Sequence, residues 1–164
     1  MLRIKRRGQD SKHRASKTRH GSTVVEMAFV LPVFFMFMFA IFEFGYAYMV
    51  VTSLNSAARR AARWGVGENV TTEQVNSRVL DLLEPTVDTS HVTVYIKEGD
   101  LFDDPEVDPT DVDYSSLPDI ELDEADPREL FIVRVEVPYD EVAILPPLWV
   151  TGVTLKGQSV MRHE

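Results

Sequence analysis

The sequence contains no cysteine, which excludes a disulfide framework and a thiolate metal site. Its histidines are His13, His20, His91 and His163, too scattered to indicate a metal cluster or a histidine-based nucleophile. A glycine-rich phosphate loop and a serine hydrolase elbow are also absent from the sequence. Because the sequence offers no recognisable set of catalytic residues, we expect a protein that is not an enzyme and that needs no cofactor.

Positive charge is scarce except at the N-terminal end. Residues 1–20 carry eight Lys/Arg against Asp10 alone, a net charge of +7. The whole chain has a net charge of -9, so residues 21–164 carry -16. A nucleic-acid-binding domain needs its basic groups on a folded face. The distribution therefore argues against a nucleic-acid partner and is typical of a targeting segment, which we assign as a basic leader over residues 1–21.

A charge-free run follows the leader and indicates a membrane span. No side chain is charged from Met27 to Phe42, or again from Phe44 to Ala58. A bilayer core needs about 20 apolar residues in a helix, so the span must extend past Glu43, and we place it at residues 22–52. The larger excess of Lys/Arg precedes the span, which predicts a cytoplasmic N-terminus and an extracytoplasmic C-terminal part.

Glu43 is an acid inside this predicted span and needs a physical explanation. It could pair with a neighbouring helix, face a polar path, or lie close enough to the far interface to snorkel. Tyr46 and Tyr48 follow it, and such amphipathic rings suit the headgroup level. We favour the interface or helix-pairing interpretation over an ion path.

Beyond the span the residue pattern predicts an α+β fold. Alanine and arginine continue the long helix, from about Thr23 to Trp64, until Gly65 and Gly67 end it. Thr71 and Gln74 form a capping box for a second helix over Thr72 to Glu84. Alternating apolar residues then predict a small antiparallel sheet outside the membrane, with strands at residues 92–96, 131–137 and 153–161. We divide this part into a helical region, residues 53–84, and a small β domain, residues 85–164.

The first two strands are separated by an acidic segment, residues 98–129. It carries fourteen acids, one base and four prolines, a composition typical of a long solvated loop. One sharper hypothesis is calcium binding, because hard cations take several oxygen ligands from flexible loops. EF-hand spacing is absent, and we favour a self-repelling loop. The weak metal candidates are Asp103, Asp104, Asp108 and Asp111.

The junction between leader and span carries the most specific motif. The run Arg19-His20-Gly21-Ser22-Thr23-Val24-Val25-Glu26 resembles the type III prepilin signal. That resemblance implies that prepilin peptidase cuts between Gly21 and Ser22, and that Glu26 becomes the fifth residue of the mature chain. Glycine allows the protease close access to the backbone. A glutamate at the bilayer edge needs a cation, and the resemblance supplies the α-amine of a neighbouring subunit.

The motif continues in a way that is similar to the TadE-like family of pseudopilins. The run Val25-Glu26-Met27-Ala28-Phe29-Val30-Leu31-Pro32 matches the family's opening, which makes Pro32 an expected feature of the helix. The run Phe42-Glu43-Phe44-Gly45 stands where the family has an acidic residue. Residues 55–63 resemble the family's alanine-arginine segment, and Met161-Arg162 resembles its C-terminal tail. The N-terminal resemblance extends from Gly21 to about Gly67.

The resemblance implies a minor component in assembly of a tight-adherence (Flp-type) pilus or a related secretion system. It implies a single-pass protein of the inner (cytoplasmic) membrane, whose partners are prepilin peptidase, other pseudopilins and pilus assembly platform proteins. The expected assembly residues are Glu26, Pro32 and Glu43. The alternative is a signal-anchored binding module that uses its acidic loop to hold a cation or a basic partner.

Overall fold

The computed structural model describes residues 20–109 and 112–163, with side chains from Thr23 onwards. Residues 1–19 of the predicted leader lie outside the described residues. The chain divides into two compact units, Met1–Phe37 and Met38–Glu164. Between them the two units contain the helices, strands and small sheet of the predicted α+β fold, which is confirmed.

Helix α1 spans His20–Gly65 and includes Pro32. It is long and apolar enough to cross a membrane, and the side chains of its most apolar stretch are not buried by the protein. In the first unit its large apolar side chains are exposed, with Phe29 at 75% and Phe37 at 61%. A helix that is apolar all round and unburied is expected for a membrane span.

The second unit contains the remaining elements. Helix α2 spans Thr72–Leu83, one residue shorter than predicted, and begins at the predicted Thr71–Gln74 capping box. Strands β1 (Thr93–Glu98), β2 (Leu130–Pro138) and β3 (Thr154–Arg162) form an antiparallel sheet in that order. A single-turn helix, α3 (Tyr139–Val142), directly follows β2. Short 3₁₀ turns precede and follow β1, at Thr89–His91 and Asp100–Asp103.

The core of this unit lies between the helices and one face of the sheet. The residues of β2 that face this core are fully buried, as the period-two pattern predicts, and Ile132 and Arg134 on the opposite face are buried as well, with exposures of 0% and 6%. In α2 the buried side chains recur every fourth residue, at one side of the helix. The fully buried members from the helices and β2 are Val50, Leu54, Ala58, Ala61, Ala62, Val75, Val79, Leu83, Phe131, Val133, Val135 and Val137.

Strand β3 approaches α1 closely at Gly157. A Cβ built on Gly157 would lie 2.5 Å from the backbone N of Asn55 and 2.5 Å from the backbone C of Leu54. Since no side chain fits this space, glycine is required for the contact. The Asn55 side chain uses its Oδ1 atom to accept a hydrogen bond of 3.3 Å from the Gln158 backbone N–H.

The acidic segment was predicted to be solvated along its whole length, but three of its residues are buried. Tyr114, Ile120 and Leu122 are buried, with exposures of 4%, 6% and 0%. Ile120 and Leu122 belong to the core cluster, and Thr72 Oγ1 donates to the Ile120 carbonyl at 2.8 Å. The prediction was wrong at these residues because their apolar side chains compensate the entropy of ordering the segment, while the neighbouring acids remain at the surface.

Candidate functional site

The candidate site is built around the carboxylate of Glu43, in the second unit. Glu43 Oε1 accepts hydrogen bonds from the backbone N–H groups of Leu148 (3.1 Å), Trp149 (3.0 Å) and Val150 (2.7 Å). Its Oε2 lies 3.2 Å from the Leu148 nitrogen. Three successive amides thus converge on one carboxylate, which is the arrangement of a backbone anion-binding nest. Here the anion is a side chain of the same protein.

The loop that supplies these amides is positioned by α3. Pro138 ends β2, and its fixed φ suits the residue that precedes the short helix. The Tyr139 backbone N–H donates to the Val153 carbonyl at 2.8 Å, and the Gly152 N–H donates to Asp140 Oδ2 at 2.8 Å. These two bonds close residues 139–153 into a loop, which we call the α3–β3 loop.

Two tyrosines fasten this loop to α1. Tyr46 Oη donates to the Val142 carbonyl at 2.9 Å, and Tyr139 Oη donates to the Glu43 carbonyl at 3.3 Å. The two rings lie 6.3 Å apart between centroids. Burial raises the pKa of the Tyr139 hydroxyl, and the negative charge of Glu43 raises it further. Tyr139 is therefore a neutral donor at physiological pH.

An apolar surface surrounds the Glu43 carboxylate. The groove beside it is lined by helix residues that include Phe42 and Met49, and by Ile144, Leu145 and Leu148 of the α3–β3 loop. This arrangement can hold the loop against α1 with the Glu43 charge fully hydrogen-bonded.

The sequence singled out Glu43, and the structure gives it partners that the sequence did not indicate. The partners considered were a neighbouring helix, a polar path and the interface. The donors in the structure are amides about a hundred residues away in the same chain. The interface and assembly interpretations of Glu43 stay predictions. The sequence nevertheless marks the segment that supplies these donors, because residues 142–155 carry no charged side chain and include the pair Pro146-Pro147.

The other predicted assembly and cleavage residues lie in the first unit. Gly21 and Ser22 belong to the first turns of α1. Glu26 and Pro32 are exposed on the same helix. Their roles in cleavage and assembly stay predictions.

Among the weak calcium candidates that the structure describes, Asp103, Asp104 and Asp108 belong to no group that could hold a metal ion. Asp103 pairs with Arg162 at 2.6 Å, and Asp104 Oδ1 accepts from the Glu106 N–H at 2.9 Å. Asp108 lies further along the segment, and Asp111 lies outside the described residues. Within residues 20–109 and 112–163, no group of three or more His, Asp or Glu side chains could hold a metal ion.

Comparison with known proteins supports the N-terminal resemblance. The model of one family, described as TadE-like protein, matches residues 21–63. The matched segment begins at Gly21 and includes Glu26, Pro32 and Glu43, so the resemblance is confirmed over residues 21–63 of α1. No curated protein and no solved structure matches the chain.

Proposed function

We propose, from the premise that residues 21–63 are a TadE-like segment, that the chain is a membrane-anchored component of a Tad pilus assembly system. The observation that carries the proposal is where the match begins. It starts at Gly21, the last residue of the predicted leader, so the start of the match falls at the predicted junction, one residue before the mature chain that cleavage would produce. A signal anchor with a chance glycine would not require this coincidence.

The proposed location is the inner membrane, crossed once by α1. The excess of Lys/Arg in residues 1–20 favours a cytoplasmic N-terminus. The sheet, α2 and the α3–β3 loop then lie outside the cytoplasm. About 20 helical residues from Thr23 reach Phe42, so we place Glu43 at the outer boundary of the hydrocarbon core and the rest of the predicted span, residues 44–52, in the outer interfacial region.

The proposed role is that of a minor pseudopilin. Prepilin peptidase removes the basic leader between Gly21 and Ser22, which exposes the α-amine of Ser22. Glu26 then has an exposed carboxylate one helical turn into the mature chain. A cation is needed to stabilise such a charge beside apolar residues, and the α-amine of an adjacent pseudopilin is a suitable one. The chain works by packing helices with other pseudopilins and platform proteins, and it catalyses no reaction.

Glu43 takes a different part in this proposal. Because its carboxylate already accepts three backbone hydrogen bonds, it has little need of a cation from another helix. We assign it to orient the extracytoplasmic domain on α1, and we assign intersubunit pairing to Glu26. Pro32 remains a predicted assembly residue.

The test is the N-terminal sequence of the protein recovered from membranes of cells with and without prepilin peptidase. We expect a chain beginning at Ser22 only when the peptidase is present. Gly21→Phe should retain the leader in both strains, because a bulky side chain blocks access to the backbone. Gly45→Ala is the matched control, since it changes a glycine of the same helix away from the cut site. An intact leader in the wild-type protein from both strains would contradict the proposal and favour the anchored binding module.

A further inference from the structure

The α3–β3 loop exposes an unusual amount of apolar surface for an extracytoplasmic segment. Ile144 is 75% exposed, Leu145 56%, Leu148 64% and Trp149 40%. These four residues surround the pair Pro146-Pro147, and the uncharged stretch extends from residue 142 to 155. A contiguous apolar patch of this kind marks a surface that binds a membrane or another protein.

This patch is continuous with exposed apolar residues of α1 in the same unit. Ile41 and Phe42 are 73% and 62% exposed, and they line one groove with Ile144 and Leu145. Ile41 and Phe42 belong to the helix that we propose to cross the bilayer. A surface continuous with a membrane span meets lipid at the level where the span ends.

The backbone of the loop is suited to an apolar medium. Pro146 and Pro147 have no N–H, and the N–H groups of Leu148, Trp149 and Val150 all donate to Glu43. Each backbone N–H of residues 146–150 is thus either absent or hydrogen-bonded. The Val142 carbonyl accepts from Tyr46. An unpaired backbone group costs several kcal/mol in hydrocarbon, so this pairing lowers the cost of inserting residues 146–150.

We propose that residues 144–149 insert into the outer leaflet at the boundary between headgroups and acyl chains, with lipid as the occupant of the apolar groove. Glu43 lies at this boundary with its charge held by the loop amides. Trp149 and the 74% exposed Tyr48 then provide the aromatic rings typical of an interface. The loop would fix both the depth of α1 and the orientation of the sheet over the membrane.

Lipid fits this surface better than a partner protein does. The exposed aliphatic residues of the loop are followed in the chain by Trp149, and Tyr48 lies on α1 beyond Glu43, a composition typical of the interfacial region. The inference depends on the proposed membrane anchoring. The two can fail separately, because loss of anchoring would remove the whole chain from floated vesicles, whereas loss of loop insertion would leave it membrane-bound.

The test uses the full chain in phosphatidylcholine vesicles and its two tryptophans, Trp64 and Trp149. Trp64→Phe leaves Trp149 as the reporter, and Trp149→Phe leaves Trp64, which lies about 30 Å beyond Glu43 along α1 at about 1.5 Å per residue. Bromine on the acyl chains near the headgroup should quench Trp149 strongly and Trp64 weakly. Aqueous acrylamide should show the reverse order.

A charged variant gives a second readout. In the Trp64→Phe background, Leu145→Glu should lower quenching of Trp149 by bromolipid about twofold or more, since a carboxylate resists entering the interface. Thr151→Glu is the control, because Thr151 is an exposed residue outside the inserted segment. If Trp149 is quenched by acrylamide as readily as Trp64, the proposal fails. Shielding of Trp149 that disappears on dilution into more lipid would indicate a second copy as the occupant and would also overturn it.

Discussion

The Glu43 carboxylate joins α1 to the α3–β3 loop by accepting hydrogen bonds from three backbone N–H groups. The loss of these bonds can be measured. Glu43→Gln keeps the shape of the side chain but replaces a charged acceptor by a neutral amide, so the bonds from Leu148, Trp149 and Val150 weaken. We expect the backbone amides of these three residues to exchange hydrogen about tenfold faster in the variant. Hydrogen-exchange mass spectrometry on the purified full chain would measure this.

The matched control for that experiment is Glu141→Gln. Glu141 lies in the same loop region, but its side chain is 54% exposed and its ion-pair distance to His91 is 3.8 Å. Exposed pairs of this kind contribute little to stability. Equal acceleration in both variants, or none in Glu43→Gln, would mean that the carboxylate does not hold the loop.

Gly157 and Gly45 make opposite predictions for the same substitution. Gly157→Ala places a Cβ against the α1 backbone and should lower the free energy of unfolding by about 1–3 kcal/mol. Gly45→Ala meets no atom within 4 Å and lies inside α1, where alanine is favoured by up to about 1 kcal/mol. Thermal unfolding in detergent should therefore show a lower midpoint for Gly157→Ala only. An unchanged midpoint for Gly157→Ala would show that β3 does not approach α1 this closely.

At the scale of elements, local signals in the sequence were sufficient for most boundaries. The Thr71–Gln74 capping box is present as predicted, and the period-two runs became β1, β2 and β3. Each of these signals depends on neighbours within a few residues. The burial of Ile120 and Leu122 could not be predicted in the same way, because it depends on contact with α2 and the sheet rather than on the surrounding acidic composition.

The acidic segment is fastened at Tyr114. Its ring stacks on Phe102 at 5.9 Å between centroids, and the Arg134 guanidinium lies 3.7 Å from the Tyr114 ring centroid. Tyr114→Ala should destabilise the fold by roughly 3 kcal/mol and make residues 98–129 sensitive to protease. Tyr114→Phe keeps the ring and loses only the 2.9 Å hydrogen bond to the Pro109 carbonyl, so it should cost about 1 kcal/mol or less. Limited proteolysis that cuts both variants equally would contradict this role for the ring.

Asp113 makes the stability of the same segment depend on pH. Hydrogen bonds from the Ser115 hydroxyl (2.6 Å) and backbone N–H (3.0 Å) lower the pKa of Asp113 below its ordinary value. A lowered folded pKa gives stability that is present above the unfolded pKa, about 3.9, and is lost as pH falls through the folded pKa. Ser115→Ala should raise the Asp113 pKa in an NMR titration. The pKa of Asp88, which is lowered by its own bonds to Ser90, should not change; equal movement of both would point to a global effect.

At the scale of the whole molecule, the sequence singled out Glu43 but did not indicate the backbone amides that bind its carboxylate. Glu43 stood out as an acid in an apolar run, and its donors lie more than a hundred residues later in the chain. Backbone amides have no signature in a single sequence, so the anchoring of the α3–β3 loop could be recognised only in the three-dimensional structure. The charge-free span and the Gly21 junction are local patterns and were recognisable without them.

The two candidate functions predict opposite outcomes for two sets of changes to the whole chain. If the chain is a pseudopilin, Glu26→Gln should leave the protein cleaved and membrane-bound but abolish its copurification with other pseudopilins, because the amide cannot pair with an α-amine. Neutralising the exposed acids Asp104, Glu106 and Asp108 to their amides should leave that copurification unchanged. Glu73→Gln, in the first turn of α2, is a control for loss of one surface acid. The reverse pattern, with Glu26→Gln silent and the neutralised loop inactive, would identify the acidic segment as the functional surface and the helix as a plain anchor.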